Sequence, residues 1–169
     1  ISALQMEPDV VVIFAGNNWK ITDPLPSEVA EIDEAIVKDG MAGAKRAMDA
    51  QTAAAARRIV REISAACQSK GVPLVWIIPE FNLRGWRDPI TNAPHLSGNL
   101  NRDWLKLHDQ AQQALREADH ATAETLAQKM VEIDQGLCAA GFYILAECSR
   151  RASDVESERR YLTLARDAT

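Results

Sequence analysis

The sequence lacks a long hydrophobic run, a cluster of positive charge and all but a few aromatic residues. Its longest strongly apolar stretch is Val10–Ala15, whereas a membrane-spanning helix takes about 20 apolar residues. Lys and Arg number 19 against 24 Asp and Glu, which gives a formal net charge of -5, and both signs are mixed along the chain. We therefore expect no transmembrane segment in this chain, and nucleic acid is not an expected partner.

Cysteine and histidine are also scarce, with three of each. The cysteines form neither a disulfide framework nor a Cys-x-x-Cys pattern, so we interpret them as core or surface thiols. The histidines lack the spacing of metal ligands, and only His95 lies near the expected site. We expect no metal and no cofactor.

Two apolar runs predict strands. Residues 9–15 form a continuous run between Pro8 and Gly16, which is typical of a central parallel strand buried on both faces. Residues 73–79 follow Gly71 and end at a proline, again as expected of a buried strand.

Between the runs, the Ala-rich residues 44–69 predict a helix that ends at Gly71. Strand, helix and strand form a βαβ unit, so the two strands should be parallel neighbours or near neighbours. Residues 1–99 are thus predicted to be α/β. Residues 79–100, rich in Pro, Asn and Gly, predict a loop at the carboxyl edge of the sheet.

Residues 100–169 predict four short amphipathic helices, the last of which carries Val155, Leu162 and Ala165 on its apolar stripe. The spacing of the last pair is that of tetratricopeptide hairpins. The matching residues are Phe142, Leu145, Ala146, Leu162 and Ala165. Ser149 and Glu158 depart from the pattern, which prefers Tyr and a small residue at these places.

The chemistry is expected where Gly16-Asn17-Asn18-Trp19 follows the first strand, because ligands of α/β sheets bind outside the carboxyl ends of strands. Gly16 permits a sharp exit turn, and an asparagine carboxamide there can donate to a developing oxyanion. The same Asn-Asn pair is also typical of a simple turn.

The run from Pro8 to Asn18 resembles the third conserved block of SGNH (GDSL-like) hydrolases, a strand followed by Gly-x-Asn. This resemblance implies that Asn18 is the oxyanion-hole asparagine. Gly16, Asn17 and Trp19 would then line the substrate-binding site.

The segment from Gly71 to Arg84 is similar to the next strand of large bacterial SGNH proteins, which ends in a Pro-Ser-Asn-Leu-Arg-like turn. This implies that Asn82 and Arg84 bind substrate, although Glu80-Phe81 replaces a single small residue of the pattern. Those proteins often carry tetratricopeptide-like helices after this turn. The resemblance covers nearly the whole chain.

Other family blocks are absent from the sequence: the Gly-Asp-Ser nucleophile, the second-block glycine and the Asp-x-x-His base. In the family mechanism a serine attacks the acyl carbon, a histidine acts as base and the asparagine stabilises the oxyanion. We therefore expect a chain that is inactive alone, with serine and histidine outside it or on a companion chain. Hydrolase and acyltransferase both remain open.

The predicted architecture is part of a flavodoxin-like parallel sheet (SGNH hydrolase-like) in residues 1–99, followed by tetratricopeptide-like helical hairpins in residues 100–169. The chain opens on Ile1 without a signal-peptide layout, so an internal piece of a longer, cytoplasmic protein is favoured. The predicted function is part of a serine hydrolase acting on a small-molecule or glycan acyl ester. The alternative is a non-catalytic module that binds a protein partner through its helices.

Overall fold

A computed structural model describes residues 2–14, 24–77, 83–84, 93 and 95–168. The chain divides into two compact units, Ile1–Phe81 and Asn82–Thr169. The described residues are mostly helical, and their strands form a single two-stranded sheet. The prediction of a flavodoxin-like sheet followed by tetratricopeptide-like hairpins is therefore wrong. Each apolar run supplies a described strand of four residues, whereas helix-forming sequence fills most of the described chain.

In the first unit, strand β1 (Val11–Phe14) pairs in parallel with strand β2 (Leu74–Ile77), as predicted. The prediction that both faces are buried is wrong, because Val12 and Phe14 are 55% and 67% exposed. Trp76, in β2, is likewise only half-buried. Successive side chains of a strand point to opposite faces, and the alternating burial shows that one face is better covered than the other.

Helix α1 (Pro26–Ser69) is interrupted at Gly40, where φ is 63° and ψ is -151°. Only glycine adopts this backbone region readily, so the helix turns there into two arms. The arms pack together, since Gln51 Nε2 donates to the Glu28 carbonyl oxygen at 2.9 Å. The sequence predicted the second arm and missed the first, which begins with a proline at N1, a common helix start.

The end of α1 is as predicted. Gly71 has a left-handed φ of 67°, and its N–H donates to the Gln68 carbonyl at 3.1 Å. The Val72 N–H donates to the Cys67 carbonyl at 3.0 Å. These two bonds form a Schellman motif, which satisfies helix carbonyls and directs the chain into β2.

The second unit contains four helices in residues 95–168, as the sequence predicted. They are α2 (Gly98–Arg116), α3 (His120–Asp134), α4 (Ala139–Arg151) and α5 (Val155–Asp167). Each helix packs on the next along the chain. Trp104, Met130 and Ile144 are among its fully buried side chains, whereas Val155, expected in the apolar stripe of α5, is 66% exposed. Among the described helices, none has the length and apolar character that crossing a membrane requires.

The turns α2–α3 and α4–α5 are copies of one pattern. Ala118 and Ser153 have left-handed φ values of 61° and 59°. Asp119 and Asp154 follow them, and each carboxylate accepts the backbone N–H three residues later, at 3.1 and 3.0 Å. The second unit therefore contains two helix pairs that share one turn geometry, called here the first hairpin (α2–α3) and the second hairpin (α4–α5).

Candidate functional site

The residues predicted to carry chemistry at the strand edge are mostly outside the described part of the chain. They are Gly16, Asn17, Asn18, Trp19 and Asn82. The structure does give the strand ends that precede them, and Phe14 lies opposite Ile77 in the parallel register. The two strands thus end at the same edge of the sheet.

Arg84 is described, and it belongs to the helical unit. Its guanidinium Nη2 donates to Glu158 Oε2 at 2.8 Å. The Arg84 side chain is 69% exposed, whereas that of Glu158 is 5% exposed. The structure therefore gives Arg84 a buried carboxylate as its partner, and its role in substrate binding stays a prediction.

The Arg84–Glu158 pair borders a small cleft of about 60 Å³. Its lining residues are Arg84, Tyr143, Ala146, Glu147, Arg150, Glu158 and Leu162. The Glu147 carboxylate accepts hydrogen bonds from both Arg150 and Arg151, and the bond from Arg150 in particular holds the pKa of Glu147 below its ordinary value. The negative charge of Glu147 is thus shared by two cations, whereas the hydrogen-bonded partner of Glu158 is Arg84.

Glu158 stands where the other hairpin has an alanine. The Glu158 N–H bonds to the Asp154 carbonyl at 3.0 Å, as the Ala123 N–H bonds to the Asp119 carbonyl at 3.0 Å. Ala123 is 0% exposed and Glu158 is 4% exposed. The departure from the small residue of the tetratricopeptide pattern was thus a sequence signal for an unusual buried charge.

A second polar cluster surrounds Asp134, which is 0% exposed at the end of α3. Its carboxylate accepts the Trp104 indole N–H at 2.7 Å and the Gly136 backbone N–H at 2.8 Å. Burial raises the pKa of Asp134 against the opposing effects of these donors and of nearby His95. Sequence reasoning missed this cluster, although a carboxylate at a helix C-terminus opposes the helix dipole and is an unusual choice.

The histidines and cysteines offer no catalytic arrangement in the described part of the chain. The His108 ring stacks on Trp104 with centroids 5.7 Å apart. His95 Nε2 and His120 Nδ1 are buried there without a hydrogen-bond partner. Burial, followed by the nearby Glu124 and Glu147 carboxylates, raises the pKa of the Cys148 thiol to about 11, which keeps the thiol protonated and poorly nucleophilic.

Metal binding finds no support among the described residues, where no group of three His, Cys, Asp or Glu side chains is arranged to hold an ion. Within the helical unit, the structure brings polar side chains together at the Glu158 cleft and in the Asp134 cluster. Comparison with protein-family models, curated proteins and solved structures finds no match to this chain.

Proposed function

We propose that this chain contributes Asn18 as an oxyanion-stabilising asparagine to an SGNH-type hydrolase that acts on an ester or related acyl bond. The supporting observation is the parallel pairing that sets Phe14 opposite Ile77. Ligands of such sheets bind at the carboxyl ends of the strands, and Asn18 and Asn82 each follow one of these ends in the sequence. The proposal concerns this edge alone and does not require the larger sheet that the sequence wrongly predicted.

The chemistry assigned to the chain is electrostatic. A serine from outside the chain attacks the acyl carbon, and a histidine, also from outside, takes the serine proton. The Asn18 carboxamide donates to the oxygen that becomes negative in the tetrahedral intermediate. Collapse of the intermediate expels the alcohol, which takes the proton held by the histidine, and leaves an acyl-serine. Water or a second alcohol then attacks the acyl-serine and carries away the acyl group, which restores the serine.

The test is esterase activity on p-nitrophenyl acetate, measured with the chain purified together with the polypeptide that supplies the serine and histidine. Asn18→Ala should lower kcat by about 10²–10³-fold, as removal of one oxyanion donor does elsewhere. The matched control is Asn99→Ala, since Asn99 is an exposed asparagine at the start of α2. It should keep wild-type kcat.

Two results would contradict this proposal. The first is equal kcat for Asn18→Ala and the wild type. The second is covalent labelling of a side chain within this chain by a fluorophosphonate, because the proposal sets the nucleophile outside it.

A second candidate function is a protein-interaction module, favoured by the self-contained core of the helical unit and the charged cleft between α4 and α5. Arg150 lines this cleft, and its side chain is 52% exposed. In affinity purification of the intact chain, Arg150→Ala should lose the partner that Asn18→Ala retains. Retention by Arg150→Ala and loss by Asn18→Ala would count against this candidate.

A further inference from the structure

Glu158 carries a buried charge that the hairpin fold does not require. The equivalent position of the first hairpin holds Ala123, which is completely buried. At both positions the backbone N–H donates to the carbonyl oxygen of a capping aspartate. Ala123 shows that a small side chain is sufficient at this position of the turn. The carboxylate of Glu158 therefore needs an explanation other than packing.

A carboxylate buried to this degree must have a cationic or hydrogen-bonding partner, because an unpaired buried charge is strongly destabilising. Arg84 supplies that partner through a hydrogen bond from Nη2 to Glu158 Oε2. Most of the Arg84 side chain stays in solvent. Glu158 thus binds the guanidinium end of Arg84, while the rest of the Arg84 side chain is not packed in the core. Another arginine could therefore replace Arg84 at Glu158 without a change in core packing.

We propose that the Glu158 cleft is an arginine-recognition site, which binds the guanidinium group of a partner protein's arginine, and that Arg84 is its displaceable intramolecular occupant. The proposal rests on the second candidate function and names the chemical group that is recognised. Its outcome leaves the acyl hydrolase proposal untouched.

The cleft suits a guanidinium better than other ligand groups. Glu147 accepts hydrogen bonds from Arg150 and Arg151, whereas Glu158 is hydrogen-bonded to Arg84 and has Arg150 as a nearby cation. Glu158 is therefore the carboxylate that an arginine replacing Arg84 would meet. Tyr143 and Leu162 also line the cleft. A guanidinium is less strongly hydrated than an ammonium, stacks on aromatic rings and can bind a carboxylate through two donors.

The test is calorimetric titration of the intact chain with N-acetyl-arginine amide, with the neutral isostere N-acetyl-citrulline amide as control ligand. Arg84→Ala should bind the arginine ligand saturably and the citrulline ligand not at all. The wild type should bind about tenfold more weakly, because the tethered Arg84 competes at a high effective concentration.

The matched control variant is Arg84→Ala with Glu158→Ala, which restores the residue type of the first hairpin and is therefore expected to fold. Circular dichroism checks that it does. Binding should be lost in this double variant.

Two results would overturn the proposal: no saturable binding to Arg84→Ala, or equal binding to the folded double variant. If either occurs while the partner of the second candidate function is still captured in an Arg150-dependent manner, the interaction role stands and the arginine assignment falls.

Discussion

Replacing Trp104 by phenylalanine tests whether the buried carboxylate of Asp134 is stabilised by the indole. The Trp104 N–H lies 2.7 Å from Asp134 Oδ2, and both residues are 0% exposed. A hydrogen bond to a charged group contributes about 1.5–3 kcal/mol, and the smaller phenylalanine ring loses further buried contacts. We expect Trp104→Phe to lower the free energy of unfolding of the helical unit by at least that amount at neutral pH.

The loss of unfolding free energy caused by Trp104→Phe should depend on pH. Burial raises the pKa of Asp134 above the ordinary value of 3.8, so the folded state takes up a proton more readily than the unfolded chain. The contribution of Asp134 to stability therefore grows as the pH falls from above its folded pKa towards 3.8. Once Asp134 is protonated, the indole bonds a neutral group, and the cost of Trp104→Phe should shrink to about 0.5–1.5 kcal/mol for that bond plus the lost packing.

The assay is a double-mutant cycle with Asp134→Asn, which keeps a carbonyl acceptor and removes the charge. The free energy of unfolding is measured in urea at neutral and at mildly acidic pH. Hydrogen exchange in peptides from α3 and α4, detected by mass spectrometry, reports the unfolding. Trp104→Phe should cost more in the wild type than in Asp134→Asn at neutral pH, and the two costs should converge in acid. Equal costs at both pH values would refute the charged hydrogen bond.

Three further predictions concern packing and reactivity. Gly43→Ala places a Cβ against the Ala35 carbonyl oxygen, so the two arms of α1 should separate. Hydrogen exchange in the first arm should become faster, and unchanged exchange would contradict the close packing of the two arms. Gly141→Ala brings a Cβ within 2.8 Å of Val131 Cγ2 and should destabilise the α3–α4 contact by about 1–3 kcal/mol in urea unfolding; unchanged stability would contradict the close approach. Cys148, with its thiol pKa raised to about 11 by burial, should react with a disulfide reagent near pH 8 only after urea is added, and rapid native reaction would count against its burial.

Much of the local structure could be predicted because it depends on short-range sequence. The Ala-rich helix, its end at Gly71 and the four later helices follow from propensity and from apolar residues recurring every three to four positions. The first arm of α1 was missed although Val29, Ile32 and Ile36 recur at helical spacing after Pro26. It is held by the Gly40 turn and by the contact from Gln51 to Glu28, which joins residues far apart in the sequence.

The candidate sites, too, were only partly predictable from the sequence. The role of Asn18 rests on a resemblance of sequence blocks and stays a prediction. Glu158 was visible in the sequence only as a mismatch with a helical pattern. Its partner could not be identified, because Arg84 lies 74 residues away along the chain.

The sequence by itself determined that the second unit has four helices, because apolar periodicity acts locally, and that β1 and β2 run in parallel, because a helix connects them. Tertiary structure decided how much of each apolar face is covered, and it corrected the expected sheet: Val12 and Phe14 are exposed although their run reads as fully buried. It also paired Trp104 with Asp134 and Arg84 with Glu158. A buried polar group is stable only beside its partner, and that partner is set by packing between elements distant in sequence.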